Sequence, residues 1–410
     1  MQEPSGGWRK TNACHGKREE AAIAAGWIRG KIPRRSYENR GLSTGYDFSG
    51  QCRGSLGSGG KVVACPRFSL VLTVLACGHT FGQQGTTGLD HTFVREAVQS
   101  VAAIVDREYF DADVAASVAL SLREGLAEGH YGGVETLDSL AQKLTRDLFA
   151  ATQDKHLAVA VVEDRSATPA STVSDDEARE VRARRTNFGV QRVEVLAGNV
   201  GYLNVTSFYR LEEARDVISA AMRLLRSADA LILDMRGNSG GSPGTVALLA
   251  SHLFDTPGLP LFEIVPRAGS GVQYTTFEPG VPERNGTRPA YVLTSEHTFS
   301  AGEGFAFILQ ERRRADVIGE PTAGAANPGR PYPVNPRLEV TVPNGQVRTA
   351  VTGRNWEGDG VIPDVTVPAD DALRSAHMLA LRELLKHVAS GSWHETLKRQ
   401  LAALELSDKR

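Results

Sequence analysis

Cysteine is scarce in this chain of 410 residues, and its four cysteines all lie before residue 83. The remainder can therefore hold no thiol nucleophile, disulfide or cysteine-ligated metal. Lysine is also scarce after residue 82, and that part of the chain carries 34 Lys and Arg against 43 Asp and Glu. An acidic surface of this kind argues against a nucleic-acid binder.

The front of the chain lacks a hydrophobic run long enough to cross a bilayer. The apolar run Phe68–Cys77 has about ten residues, and a transmembrane helix needs about 20. It follows Arg67 and precedes a polar stretch, which is typical of a secretory signal over 67–84. The sequence predicts export to the periplasm or the exterior, or lipid anchoring at Cys77; the alternative is a short buried helix or strand. Residues 1–66 show no helical or strand period and are predicted to be a disordered or doubtful extension.

Histidines with the spacing of metal ligands are also absent from the body of the chain, so we expect neither a metal site nor a cofactor.

The first ordered unit is predicted to be a helical domain over 90–155. Three segments there repeat apolar residues at 3.6-residue spacing, for example at Val94, Val98, Val101 and Val105.

From residue 156 to 390 the pattern changes to alternating strands and helices. Buried-type strands at 200–205, 230–234 and 290–293 are each followed by a helical segment. This alternation indicates an α/β fold with a largely parallel central sheet. Residues 164–185 are rich in Ser, Thr, Asp and Arg and are predicted to be a mobile loop. A helical tail is expected over 391–410.

Ser300 is the first candidate for chemistry, because it follows a buried strand and begins a helix. The free N–H groups and the dipole of a helix N-terminus stabilise a developing negative charge, which suits a nucleophile. The alternative is structural: Ser300 and Glu303 have the spacing of a capping box, in which the serine only caps the helix.

The glycine-rich segment Asp234–Gly241 (DMRGNSGG) follows another buried strand and allows three interpretations. Ser239 lies in a G-x-S-x-G pattern, which is typical of the nucleophile of an α/β-hydrolase. The loop could instead bind a phosphate, although it lacks the Walker lysine. In the third interpretation, the backbone N–H groups of the loop donate hydrogen bonds to the oxyanion that forms when a serine in another segment attacks its substrate.

His156 lies in a polar turn where the helical domain meets the core, and it could be structural or a general base. His297, three residues before Ser300, is a weaker candidate for the base. Glu357 lies beside a tryptophan and between glycines, where it could either form a surface turn or orient an imidazole.

Taken together, these segments resemble the tail-specific (C-terminal processing) serine protease family, in the branch of the interphotoreceptor retinoid-binding protein and the tricorn protease core. The resemblance runs from about residue 90 to 390. It is carried, in chain order, by His156, Asp234–Gly241, Thr298–Glu303 (TFSAGE), Gly319–Gly324 (GEPTAG) and Glu357–Asp364 (EGDGVIPD).

The resemblance implies a serine peptidase that acts on peptides or proteins through an acyl-enzyme. Ser300 would be the nucleophile, His156 the general base and Glu357 the carboxylate that orients it. The N–H groups of Ala301 and of Gly240 or Gly241 would form the oxyanion hole.

The chain departs from the family pattern in three places. No lysine occurs between Ser300 and Lys386, which argues against the Ser–Lys dyad of the other branch. The interval between Val162 and Val193 is too short for the PDZ module that many relatives carry. Tricorn-type sites place a serine beside the histidine, where this chain has Lys155.

Two other functions stay open at this point. One is a non-catalytic binder of retinoid-like or other apolar ligands, as the retinoid-binding relatives suggest. The other is an esterase that uses Ser239.

Overall fold

The computed structural model describes residues 89–163, 175–277, 284 and 286–407. The predicted signal segment and Cys77 lie outside these residues. Within the described part, no helix combines the length and the apolar character that a membrane span requires.

The chain begins with three helices that pack on one another and on a small antiparallel sheet. Val98, Val101, Leu144 and Leu148 are completely buried between them, as the apolar period predicts. The helices are α1 (His91–Glu108), α2 (Ala112–Ala127) and α3 (Leu137–Thr152). The sheet has the order β1-β10-β9, from Ala158–Val161, Leu338–Pro343 and Gly329–Asn335.

A six-stranded sheet forms the centre of the core, and all its neighbouring pairs are parallel except the pair at one edge. Its order is β12-β8-β7-β4-β3-β2. The strands are β2 (Val190–Leu196), β3 (Val200–Val205), β4 (Ala230–Asp234), β7 (Ala290–Thr294), β8 (Asp316–Gly319) and β12 (Val365–Thr366). The predicted α/β class with a largely parallel sheet is therefore confirmed.

Helices cover both faces of this sheet, which explains why its strands are apolar throughout. On β4, Leu231 and Leu233 face one apolar cluster, whereas Ala230 and Ile232 face the other. The first cluster includes residues of α5 (Leu211–Leu224), α6 (Pro243–Ser251) and α7 (Ala301–Glu311); the second includes residues of α8 (Ala369–His387) and α9 (Ser392–Ser407).

A third sheet was not foreseen from the sequence. It is antiparallel, with the order β11-β5-β6, and consists of Gly345–Thr349, Pro260–Pro266 and Val272–Thr275. Phe262 and Val347 point from it into the core. Its central strand pairs with a segment about 80 residues away, a contact that no local pattern reveals.

The interpretation of 164–185 as a mobile loop was wrong for its second half, because Asp175–Arg185 forms helix α4. The segment has little apolar content, but it is rich in Ala, Glu and Arg, which favour a helix. An ion pair of 2.9 Å joins Arg179 to Glu213 of α5. In the described residues between β1 and β2, 175–189 form only this helix and a short 3-10 turn, so no PDZ module lies there.

The loops after β4 and β7 touch each other because these strands are parallel neighbours. Asn238 joins the loops through its carbonyl oxygen, which accepts from Phe299 N–H at 2.9 Å. Gly240 has a φ of +93°, and a Cβ atom there would lie 2.7 Å from Ser300 Cβ. Glycine is therefore required both by the backbone conformation and by the close approach.

We predict that Gly240→Ala lowers the free energy of unfolding by about 2 kcal/mol or more, from backbone strain and the clash with Ser300. Gly237→Ala, in the same loop, has open space around its Cβ and no positive φ. It should cost less than about 1 kcal/mol. Urea unfolding of both variants measures the difference; equal losses would show that the contact with Ser300 is not tight.

Candidate active site

Ser300 stands in a strained conformation at the N-terminus of α7. Its φ of 53° and ψ of −117° are unusual for a residue with a side chain. Its backbone N–H donates to Glu303 Oε2 at 2.7 Å, and its Oγ lies 3.1 Å from His156 Nε2. Strain of about 1–3 kcal/mol of this kind clusters at functional sites. Glu303 therefore holds the turn, and the serine hydroxyl faces an imidazole.

Glu303 is fully buried and joins the Ser300 turn to the segment after β8. Its Oε1 accepts from Thr322 Oγ1 and from Gly324 N–H, each at 2.6 Å, and its Oε2 accepts from Ala325 N–H at 3.0 Å. Burial raises its pKa, while these hydrogen bonds act in the opposite direction. The capping-box interpretation is thus partly right, since Glu303 bonds the Ser300 N–H.

His156 comes from the turn between α3 and β1, 144 residues before Ser300 in the chain. The side chain is 12% exposed, and its ring lies 4.9 Å from that of Phe299. Burial lowers the pKa of the imidazole to about 4. The ring is therefore neutral at neutral pH, the form in which a nitrogen can accept a proton.

Glu357 lies in the loop between β11 and β12, close to this imidazole. Its Oε2 accepts from the backbone N–H groups of Ala326 at 2.6 Å and Asn327 at 3.1 Å. Its Oε1 is buried without a hydrogen bond, and so is the far ring nitrogen, Nδ1, of His156. Ligand atoms of Asp154, His156 and Glu357 all lie within 4.8 Å of one another.

The carboxyl of Glu357 has a pKa of about 7, raised mainly by burial and next by the negative charge of Asp154. Asp154 is 1% exposed, and burial raises its pKa as well. These two acids and His156 could also ligate a metal ion. The family resemblance led us to expect His156 and Glu357 together, but Asp154 was not expected beside them.

Asp154 is the residue of this cluster to which the sequence analysis gave no role. Its one local signal is that it stands two residues before the histidine in the same turn. Burial decides its importance, and burial depends on packing from α1 and from the segment after β8.

The other candidates lie apart from this constellation. Ser239 Oγ donates to Thr206 O at 3.4 Å, and no described histidine is hydrogen-bonded to it. His297 is 79% exposed and lies 3.8 Å from Glu296. Lys155 donates to the carbonyl of Ala323. Ser300 is the serine that the fold brings to His156.

Two backbone N–H groups beside Ser300 have no hydrogen-bond partner within the described residues. They belong to Ala301, the first residue of α7, and to the exposed Gly241. Gly240 N–H, in contrast, donates to Asn238 Oδ1 at 2.8 Å. The free donors are therefore at Ala301 and Gly241.

A narrow apolar cavity of about 40 Å³ opens beside Ser300, Ala301 and Gly241. Its lining consists largely of apolar side chains from α6, α7, the third sheet and the loop before Glu357. They include Val246, Phe262, Ile264, Ile308, Val347 and Trp356.

Comparison with known proteins gives two family matches. Residues 199–367 match peptidase family S41, and residues 90–187 match the N-terminal domain of this family in eukaryotic interphotoreceptor retinoid-binding protein.

Two relatives come from Bacillus subtilis. The chain is 27% identical to the carboxy-terminal processing protease CtpB over 47% of its own length and 39% of that protein. It is 32% identical to CtpA over 32% of its own length and 27% of that protein. It thus spans less than half of the length of either relative.

Among solved structures, the photosystem II D1 C-terminal processing protease is 16% identical, with a TM-score of 0.44 over 68% of this chain and 93% of that one. The two family models follow one another along this chain and together cover most of its described residues. Residues 199–367 therefore form a peptidase family S41 domain, preceded over 90–187 by the N-terminal domain of that family, and the chain is similar to carboxy-terminal processing proteases.

Proposed function

We propose that this protein is a serine peptidase in which Ser300 is the nucleophile, His156 the general base and Glu357 the carboxylate that orients the base. The observation that carries the proposal is the 3.1 Å separation of Ser300 Oγ and His156 Nε2. A serine hydroxyl needs a base at this distance, because it is barely ionised at neutral pH.

In the first step, Ser300 Oγ attacks the peptide carbonyl carbon and its proton passes to His156 Nε2. The carbonyl oxygen becomes an oxyanion, which the N–H groups of Ala301 and Gly241 would stabilise. The C–N bond then breaks, and the proton on His156 goes to the leaving amine. Water, activated by the same imidazole, hydrolyses the resulting ester and releases Ser300.

The role of Glu357 requires a hydrogen bond that is not formed in this structure. If Glu357 Oε1 accepted a hydrogen bond from His156 Nδ1–H during catalysis, each of these two buried atoms would gain a partner. Such bonds often tighten only when substrate is bound. An ionised Glu357 would then stabilise the imidazolium of the first step.

The apolar cavity would receive the side chain that precedes the scissile bond. Its walls offer few polar partners, so a charged side chain there would be buried at a high cost. At about 40 Å³ it is far smaller than the roughly 300–1,000 Å³ of typical ligand pockets, which argues against a retinoid-like ligand. A peptide or protein with a small apolar residue is the favoured substrate.

We also propose that the enzyme is exported, on the basis of the signal-like run before residue 84. The acidic balance of the remaining chain supports a peptide or protein partner rather than a nucleic acid.

A serine-directed fluorophosphonate, followed by mass spectrometry of the labelled peptide, tests the nucleophile. We expect the label on Ser300, and Ser300→Ala should lose labelling and lower kcat/KM on the order of 10⁴-fold or more. Ser239→Ala is the matched control and should stay within about twofold of the parent. Label on Ser239 would support an esterase instead, and a folded chain that takes no label would support a binder.

Peptides that differ only at the residue before the scissile bond test the cavity. We expect Ala and Val to give kcat/KM at least about 100-fold above Asp or Lys, because an unpaired buried charge costs several kcal/mol. Val347→Ala enlarges the cavity and should raise the relative rate for Leu, whereas Val351→Ala, at an exposed position, should not. Equal rates across the series would place the substrate elsewhere.

The pH profile tests Glu357. Because its pKa is about 7 and that of His156 about 4, the ionisation of Glu357 should limit activity on the acid side. We expect kcat/KM to rise with pH through a midpoint near about 7 and Glu357→Gln to remove that midpoint, with a loss of about 10²-fold or more. Asp359→Asn, in the same loop but exposed, should keep the midpoint. A midpoint that survives Glu357→Gln would belong to another group.

A further inference from the structure

Asp154 is a buried carboxylate beside His156 for which the proposed triad gives no role. Its Oδ1 accepts the backbone N–H of His156 at 2.9 Å and lies 4.0 Å from Nδ1 of the ring. A carboxylate this deeply buried is costly unless donors surround it. Asp154 therefore does not act as a solubilising surface charge or as a helix cap.

Two further donors reach Asp154 from distant parts of the chain. Tyr109, at the C-terminus of α1, donates its O–H to Oδ2 at 3.3 Å. Asn327 donates its side-chain amide to the same oxygen at 3.2 Å. Tyr109 is 4% exposed and Asn327 also 4%, so these bonds are shielded from water. Asp154 thus ties the turn of His156 to the helical domain and to the segment after β8.

Asn327 also links the two acids of the cluster. Its backbone N–H donates to Glu357 Oε2 at 3.1 Å, and its side-chain amide donates to Asp154 Oδ2. Asp154 has three donors from protein groups and Glu357 two. Hydrogen bonds to a carboxylate favour its charged form, so the donors around Asp154 oppose the rise in pKa that burial causes.

Nδ1 of His156 is buried without a hydrogen bond and lies 4.0 Å from Oδ1 of Asp154. For Nε2 to accept the Ser300 proton, the proton of the neutral ring must sit on Nδ1. A negative charge 4.0 Å from Nδ1 favours that tautomer, because it attracts an N–H and repels a lone pair.

We propose that Asp154 is a positioning residue that, with Tyr109 and Asn327, fixes the His156 turn and holds the imidazole in the tautomer with Nδ1 protonated. The proposal rests on the proposed function, because it gives His156 the role of base. It adds a second carboxylate to the site, on the far side of the base from Ser300.

The tautomer can be measured without any peptidase activity. In protein labelled with ¹⁵N-histidine, chemical shifts at neutral pH distinguish Nδ1–H from Nε2–H, and His156→Gln assigns the signal. We expect Nδ1–H in the parent protein and in Glu357→Gln, but a mixture or Nε2–H in Asp154→Asn. An unchanged tautomer in Asp154→Asn would overturn the proposal even if no peptide substrate is found.

Kinetics give a second, independent readout. Asp154→Asn should lower kcat/KM about tenfold or more, a part of what a positioned base contributes. It should also move the acid-side midpoint below about 7, because the charge of Asp154 is one cause of the raised pKa of Glu357. Tyr109 from α1 and Glu303 from α7 are the other ionisable groups near these acids, and both remain in this variant. A purely structural loss would leave the midpoint in place.

The helical domain offers a matched control. Tyr131 donates to Asp147 Oδ2 at 2.8 Å on α3, in a pairing that resembles Tyr109 with Asp154 but lies outside the site. Asp147→Asn should keep kcat/KM within about twofold and leave the midpoint unchanged. Tyr109→Phe should lower kcat/KM and the acid-side midpoint, as Asp154→Asn does, but by a smaller amount. Circular dichroism shows which variants are folded.

A metal ion is the competing explanation for the cluster. Loss of phosphonate labelling in EDTA, with recovery on adding Zn²⁺, would overturn the proposal, because Asp154 would then be a metal ligand. Labelling that is unaffected by EDTA, together with the changed tautomer in Asp154→Asn, supports it.

Discussion

The candidate site depends on one contact, between the side chains of Ser300 and His156. The two side chains lie in segments that adjoin different sheets, and they meet at 3.1 Å although 144 residues separate them in the chain. Ser300 lies between β7 of the central sheet and α7, whereas His156 lies just before β1, which among the described residues pairs with β10 of the small sheet. Any relative movement of these two sheets would separate a nucleophile from its base.

Several buried polar bridges hold that distance. Glu303 fixes the Ser300 turn to the segment after β8, and Asn327 of that segment bonds both Asp154 and Glu357. A chain of hydrogen bonds therefore runs from the nucleophile to the base without leaving the protein interior. The paired oxygens of Glu303 and Asp154 fix this geometry, whereas His156 Nδ1 and Glu357 Oε1 are the atoms of the site that are buried without a hydrogen bond.

Much of the fold could be predicted from the sequence, because its central strands and first three helices have strong periods. The strands at 200–205 and 230–234 are observed with the expected bounds. Helix α4 was missed, since its helix-forming residues are almost all polar. The sheet of β11, β5 and β6 was missed because its pairing is decided by distant contacts rather than by local pattern.

The candidate site, like the fold, could be predicted from the sequence only in part. Ser300, His156 and the glycine loop follow recognisable local motifs, and the structure brings them together. The carboxylate at Asp154 carries no such motif, because an aspartate in a polar turn is unremarkable until packing removes its water. Its three donors come from residues 109, 156 and 327, and no sequence pattern links these positions. The charges that surround a catalytic base are set by tertiary burial, so they are the part of such a site that sequence reasoning is least able to see.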